Sequence, residues 1–140
     1  MNNFQPIRII PRLDVKNENV IKSINLEGLR VVGKPAELAF KYYGEGADEL
    51  LYVDAVASLY GRNNLKNIVY EATKNIFIPI TVVGGIRSLE DFKELLLVGA
   101  DKVGLNTAAI QNPNLISELA NQFGSQSLIL SIEAKKIKEN

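Results

Sequence analysis

The 140-residue sequence contains neither histidine nor cysteine. Imidazole, the usual general base and metal ligand near neutral pH, is therefore absent, as are thiolates and disulfides. Proton transfer must fall to carboxylates, lysine or tyrosine, and neither a metal nor a cofactor is expected. Three acids stand where apolar runs give way to polar residues: Asp14, Asp54 and Glu133. Asp14 and Glu133 could act as a general acid and base if their surroundings drive their pKa values apart. Equally, an acid at such a position can cap a loop or pair with a lysine. A second kind of chemistry is suggested by Gly84-Gly85 and by Asn106-Thr107, which follow successive apolar runs. Paired glycines before a helix let backbone N–H groups approach an anion closely, and the helix start adds positive potential. Asn106 and Thr107 would contribute further donors, so the two motifs together read as a phosphate cradle. A plain structural turn is the alternative.

These residues need a scaffold that gathers them. Five short runs rich in β-formers occupy residues 7–13, 49–54, 79–83, 101–105 and 127–132. Their apolar residues are nearly continuous rather than alternating, as in strands buried on both faces of a parallel sheet. Between them, residues 35–46, 64–75, 88–99 and 113–124 carry apolar side chains at helical spacing. Two of these segments open on proline, one opens on Ser88 followed by Glu90 and Asp91, and three end on glycine, at Gly46, Gly99 and Gly124. Strands alternating with helices predict right-handed βαβ units around a parallel sheet in a single domain. Gly46-Ala47-Asp48 and Gly99-Ala100-Asp101 each follow a helix and lead into a strand, a weak two-unit repeat. The longest connection, residues 14–34, alternates apolar and polar residues from Val20 to Leu26, which predicts a small hairpin arm.

In parallel β/α folds the ligand lies at the carboxyl ends of the strands, where Asp14, Asp54, Gly84, Gly85, Asn106, Thr107 and Glu133 would collect. Arg8, Asp48, Glu49 and Lys102 fall at strand starts, on the opposite rim, where charges usually form a stabilising ring of salt bridges. Composition narrows the partners. Hydrophobic residues make up 46%, which suits a packed core rather than disorder. The 16 basic and 16 acidic residues cancel, so nothing favours binding to nucleic acid. No run approaches the roughly 20 apolar residues of a membrane span, and the first residues lack the pattern of a signal peptide, so a cytoplasmic protein is expected. The tail from Lys135 to Asn140 is polar and expected to fray.

Several linked motifs resemble the cyclase subunit of imidazole glycerol phosphate synthase. They are Arg8-Ile-Ile-Pro-Arg-Leu-Asp14, Ala47-Asp-Glu-Leu-Leu-Tyr-Val-Asp54, Thr81-Val-Val-Gly-Gly-Ile-Arg87, Gly99-Ala-Asp-Lys-Val103 and Asn106-Thr-Ala-Ala-Ile-Gln-Asn-Pro113. The resemblance runs from Arg8 to Lys136. It implies a (β/α)8 TIM barrel, of which these residues would form the N-terminal half. It implies a histidine-pathway lyase that takes ammonia from a glutaminase partner through the barrel. That ammonia reacts with a bisphosphorylated ribulosyl-amino imidazole carboxamide nucleotide, giving imidazole glycerol phosphate and AICAR. In that frame Asp14 and Glu133 match the two catalytic carboxylates. Gly85, Asn106 and Thr107 match one of two phosphate sites, and Lys22 matches a lysine of a mobile first loop. Arg8, Glu49 and Lys102 match three of four charged residues at the ammonia gate.

The sequence departs from the family pattern in three respects. A full barrel has about 250 residues, so a C-terminal half would carry the second phosphate site and the fourth gate residue. Glu133 replaces an aspartate, and about 1 Å of misplacement can cost 10²-fold in rate. Arg12 replaces a cysteine, and the loop from Lys16 to Lys22 lacks the usual glycine. Arg12-Leu-Asp14 and Ser131-Ile-Glu-Ala134 are similar to a cyclase-like branch linked to ammonia-dependent amidation of surface-polysaccharide sugars. A non-catalytic, phosphate-binding half-barrel is a third possibility. An open sheet would leave strands one and five as unpaired edges, so association is expected, either as a homo-oligomer or with a C-terminal half-barrel.

Overall fold

The computed structural model describes residues 6–24, 27–55 and 65–134. Its elements run β1 (Arg12–Lys16), β2 (Asn19–Ile24), β3 (Glu27–Gly33), α1 (Pro35–Gly44), β4 (Leu50–Asp54), α2 (Leu65–Thr73), β5 (Ile80–Val83), α3 (Leu89–Leu97), β6 (Lys102–Leu105), α4 (Thr107–Gln111), α5 (Asn114–Phe123), a 3-10 turn (Ser125–Ser127) and β7 (Leu128–Leu130). They build one seven-stranded sheet in the order β3-β2-β1-β4-β5-β6-β7. From β1 onward the pairings are parallel, as expected for βαβ units. β1, β2 and β3 pair antiparallel. No helix among the described residues is long and apolar enough to cross a membrane.

The hairpin expected after the first strand is present as β2 and β3. The chain enters it from β1 through a turn at Asn17, whose φ of 55° lies in the left-handed region that asparagine tolerates better than most residues. The hairpin also corrects the expected edges. β2 pairs with β1 at Val15 and Lys16, so the first parallel strand has a partner at its upper end and the sheet is bounded by β3 and β7. Asn25 and Leu26 of the predicted arm lie outside the described residues, as do Asn64 of the second predicted helix and the predicted frayed tail.

Strand one is displaced from its expected span. Residues 7–11 run extended beside β4, with Asp48 N–H donating to Ile9 O at 3.0 Å and Leu51 N–H to Pro11 O at 3.0 Å. They form no continuous ladder, because Pro11 has no N–H to give. The strand proper runs on to Lys16, so Asp14 lies within it rather than at its end. Strand five is shorter than expected, ending at Leu130, with Ser131 N–H bonding Leu105 O at 2.8 Å.

The helices follow their start and stop signals. Pro35 opens α1, where its missing N–H costs nothing. At α3, Ser88 Oγ accepts from Asp91 N–H at 3.2 Å, while the Asp91 carboxylate accepts from Arg87 N–H at 3.0 Å. This exchange resembles a capping box and satisfies donors the helix cannot. Gly124 closes α5 at a φ of 88°. Pro113 stands one position before α5 rather than as its first residue. The short α4 was not expected, since Asn106-Thr107-Ala108-Ala109 reads as loop until the two alanines are weighed as helix formers.

The Gly-Ala-Asp echo is a true structural repeat. Ala47 N–H bonds Tyr42 O and Ala100 N–H bonds Leu95 O, each at 3.0 Å. Each aspartate then ties the next strand to its neighbour twice. Asp48 receives Ile9 N–H on its carboxylate at 2.7 Å and gives its own N–H to Ile9 O. Asp101 receives Ile80 N–H at 2.8 Å and gives its N–H to Ile80 O at 2.8 Å. Gly99 is required: at its φ of +109° a Cβ would stand 2.5 Å from Thr73 Cγ2.

One apolar cluster fills the space between sheet and helices. Leu13, Val15, Leu50, Tyr52, Ile80, Val82, Val103 and Leu105 of the strands meet Ala39, Leu65, Val69, Phe92, Leu95 and Leu119 of the helices. Phe92 packs against Phe123 with ring centroids 5.2 Å apart. The buried Tyr52 hydroxyl donates to Pro35 O at 3.3 Å, and desolvation holds its phenol well above the ordinary 10.0.

Candidate functional site

Side chains alternate across a strand, so the residues between those core positions face the other side of the sheet. Register sets them in rows. Arg12, Leu51, Thr81 and Lys102 pair across β1, β4, β5 and β6. Asp14, Val53, Val83, Gly104 and Ile129 form the next row toward the carboxyl ends. Below both, Glu49 lies two residues before Leu51 and therefore on the same face.

Above these rows opens a cavity of about 600 Å³. Asp14, Asp54, Gly84, Gly85, Asn106, Thr107 and Glu133 all line it, so one space gathers both the carboxylates and the proposed cradle. Glycine is needed at two of its walls. Gly84 has a φ of +110°, and a Cβ there would stand 3.0 Å from Asp54 O. At Gly104 a Cβ would meet Val83 Cγ2 at 2.5 Å. Gly85 also takes a positive φ, 76°. The backbone after β5 therefore passes close to the cavity without side chains to shield its amide groups, as an anion site requires. Asn106 and Thr107 stand where β6 turns into α4.

Arg12, in the sequence a departure from the family pattern and part of the Arg-Leu-Asp likeness to a cyclase-like branch, lines the cavity as well. Its Nε donates to Asp14 Oδ1 at 2.7 Å, and both side chains are partly exposed, 56% and 39%. The period of two that places Asp14 on this face places Arg12 there as well. Arg87, Gln111 and Ser131 are further lining residues that sequence reasoning passed over. Arg87 is anchored from behind, with Nε 3.5 Å from Asp91 Oδ2.

One expected site residue does not join the cavity. Ile21 and Ser23 of β2 line it, so Lys22 between them projects from the opposite face, where it is exposed. The matched lysine is thus turned away by strand alternation.

At the other rim, Arg8, Glu49 and Lys102 meet as read. Glu49 is buried at 6% exposure; Oε1 is bonded by Arg8 and Oε2 by Lys102 Nζ at 3.1 Å. A carboxylate this deep needs such partners, because an unpaired buried charge is strongly unfavourable. Asp48 takes no part, being held by Ile9 N–H.

With this geometry in place, similarity to known proteins becomes informative. Residues 8–140 match a family described as histidine biosynthesis protein. The imidazole glycerol phosphate synthase subunit HisF of Legionella pneumophila is 62% identical over 130 residues, covering 93% of this chain and 61% of that protein. The HisF subunit of Corynebacterium glutamicum (strain R) is 50% identical over 133 residues, 95% of this chain and 52% of its own length. That of Campylobacter concisus is 49% identical over 138 residues, 99% and 55%. The chain thus spans between half and two thirds of these relatives. Its parallel strands and alternating helices are those of an N-terminal half of a (β/α)8 barrel, and it belongs to the histidine biosynthesis protein family.

Proposed function

We propose that this chain supplies the N-terminal half of an imidazole glycerol phosphate synthase cyclase subunit, which uses ammonia from a glutaminase partner to form imidazole glycerol phosphate and AICAR. The observation that carries the reading is the meeting of Asp14, Glu133, Gly85, Asn106 and Thr107 around one cavity at the carboxyl ends of parallel strands. The names of the similar proteins support it, since each is a subunit of that synthase. In this reading Asp14 and Glu133 move protons, and the Gly84-Gly85 and Asn106-Thr107 turns hold one phosphate with Asp54 beside them. Arg8, Glu49 and Lys102 form the lower gate for ammonia. Lys22 carries no role in this arrangement. The exposed Ile7, Ile9 and Ile10 before β1, and Leu130 and Ile132 at β7, favour association with a C-terminal half-barrel or a second copy.

The test is ammonia-dependent turnover of the bisphosphorylated precursor, first by this chain alone and then with a C-terminal half from a close relative. Turnover is expected only with the second half, and Asp14→Asn should lower it by about 10²–10⁴-fold, the usual worth of a positioned acid or base. A folded, reconstituted barrel without turnover would move the assignment to ammonia-dependent amidation of a sugar. The observation favouring that second reading is Arg12, whose guanidinium occupies the wall beside Asp14 and narrows what can approach it.

A further inference from the structure

Arg87 lines the cavity yet belongs neither to the proton-transferring pair nor to the phosphate cradle as drawn so far. It follows Gly84-Gly85 by two residues, in the turn between β5 and Ser88, which caps α3. Asp91 holds it twice from one side. The Asp91 carboxylate accepts the Arg87 backbone N–H at 3.0 Å and lies 3.5 Å from Nε. The two contacts restrict where the guanidinium can lie. Among the described residues, neither of its terminal nitrogens has a hydrogen-bond partner. A planar fork with unspent donors suits a phosphoryl group and its acceptor oxygens, with each bond charge-assisted.

Charge explains why the cradle needs it. Gly84, Gly85, Asn106 and Thr107 offer only neutral donors, whereas a phosphate ester carries close to two negative charges at neutral pH. Among the described lining residues the cations are Arg12 and Arg87. Arg12 is already paired with Asp14 through Nε, and its strand lies two spacings from β5, about 10 Å away. Arg87 stands in the turn that carries the two glycines. Its ion pair with Asp91 is long, and its side chain is 60% exposed, so the pairing is weak and much of the positive charge stays available. We infer that Arg87 is a further phosphate-binding residue, whose guanidinium supplies the positive charge of the cradle formed by Gly84-Gly85 and Asn106-Thr107. One phosphate of the bisphosphorylated substrate is then held by a side-chain cation as well as by backbone amide groups. This inference rests on the reading of the cavity as the substrate site.

Calorimetric titration of the chain with ribose 5-phosphate tests it, with ribose as the control that lacks the phosphate. We expect Arg87→Gln to weaken ribose 5-phosphate about tenfold, the worth of one charge-assisted contact discounted for its exposure. Arg87→Lys keeps the charge without the fork and should lose only about threefold. Added salt should weaken binding to the parent and to Arg87→Lys more steeply than to Arg87→Gln, a readout that a purely structural role would not move. Both variants retain the backbone N–H that bonds Asp91, so they should keep the parent unfolding temperature. An Arg87→Gln affinity equal to the parent's, or a parent that does not bind ribose 5-phosphate, would overturn the inference. Thr107→Val separates it from the cradle reading. Binding weakened by Thr107→Val but not by Arg87→Gln would keep the cradle and remove Arg87 from it. Binding that depends on Arg87 and ignores Thr107 would overturn the cradle reading instead and keep Arg87 as a phosphate ligand.

Discussion

The two faces of the sheet are built from the same strands, yet they divide the molecule's work. On the helix side, Leu13, Val15, Leu50, Tyr52, Ile80, Val82, Val103 and Leu105 are nearly or wholly buried in one apolar cluster. On the cavity side, the alternate positions hold Arg12, Asp14, Thr81, Lys102 and Gly104, with charged side chains that are partly exposed and glycine where the backbone must come close. One residue step therefore separates a position packed in the core from one on the cavity side of the sheet. Glu49 is the exception, a buried charge on the cavity side whose partners Arg8 and Lys102 hold the base of the barrel half together.

The largest effect should come from the helix side. Phe92 is fully buried and stacked on Phe123, so Phe92→Ala should cost roughly 3–5 kcal/mol in denaturant unfolding. A loss under about 1 kcal/mol would mean that the cluster is not the source of stability. Tyr52 sharpens the comparison further. Tyr52→Phe removes one hydrogen bond to Pro35 O and should cost about 1 kcal/mol at neutral pH. Burial raises the folded phenol above its ordinary 10.0, so the stability it contributes is complete below that value. It declines as pH climbs past 10.0, because the unfolded chain ionises there first. Between about pH 9 and pH 11 the parent should therefore lose roughly 1 kcal/mol more than Tyr52→Phe. Equal losses would place the phenol in contact with water. The smallest effect belongs to the cavity side. Asp14→Asn gives up only a half-exposed pair with Arg12, so unfolding should shift by less than about 1 kcal/mol. A larger loss would show that the two faces are not separable.

Much of this division is written in the sequence. Continuous apolar runs and helical spacing reveal the βαβ order, and Ser88, Gly99 and Gly124 mark helix ends because their backbone chemistry is local. The collection of Asp14, Gly85, Asn106 and Glu133 at one rim follows from parallel strands alone. What was hidden depends on neighbours. Pro11 delays the start of the first strand's ladder, while pairing with β2 at Val15 and Lys16 carries its end past Asp14, which therefore lies in its middle. Pairing of β2 with β1 turned Lys22 outward, and no local pattern states which face of a hairpin meets a cavity. Arg12 was legible by its spacing from Asp14, but a charged residue in a buried-looking run reads as an interruption until its partner is seen.

The paired Gly-Ala-Asp turns carry a consequence for the order of assembly. Each aspartate closes a loop of chain, 39 residues between Ile9 and Asp48 but 21 between Ile80 and Asp101. Loop entropy rises with the logarithm of length, so the second closure is favoured by about half a kcal/mol. The β5-α3-β6 unit is therefore expected to nucleate folding and the first unit to dock onto it. Higher φ-values around Ile80 than around Ile9 would mark that sequence of events.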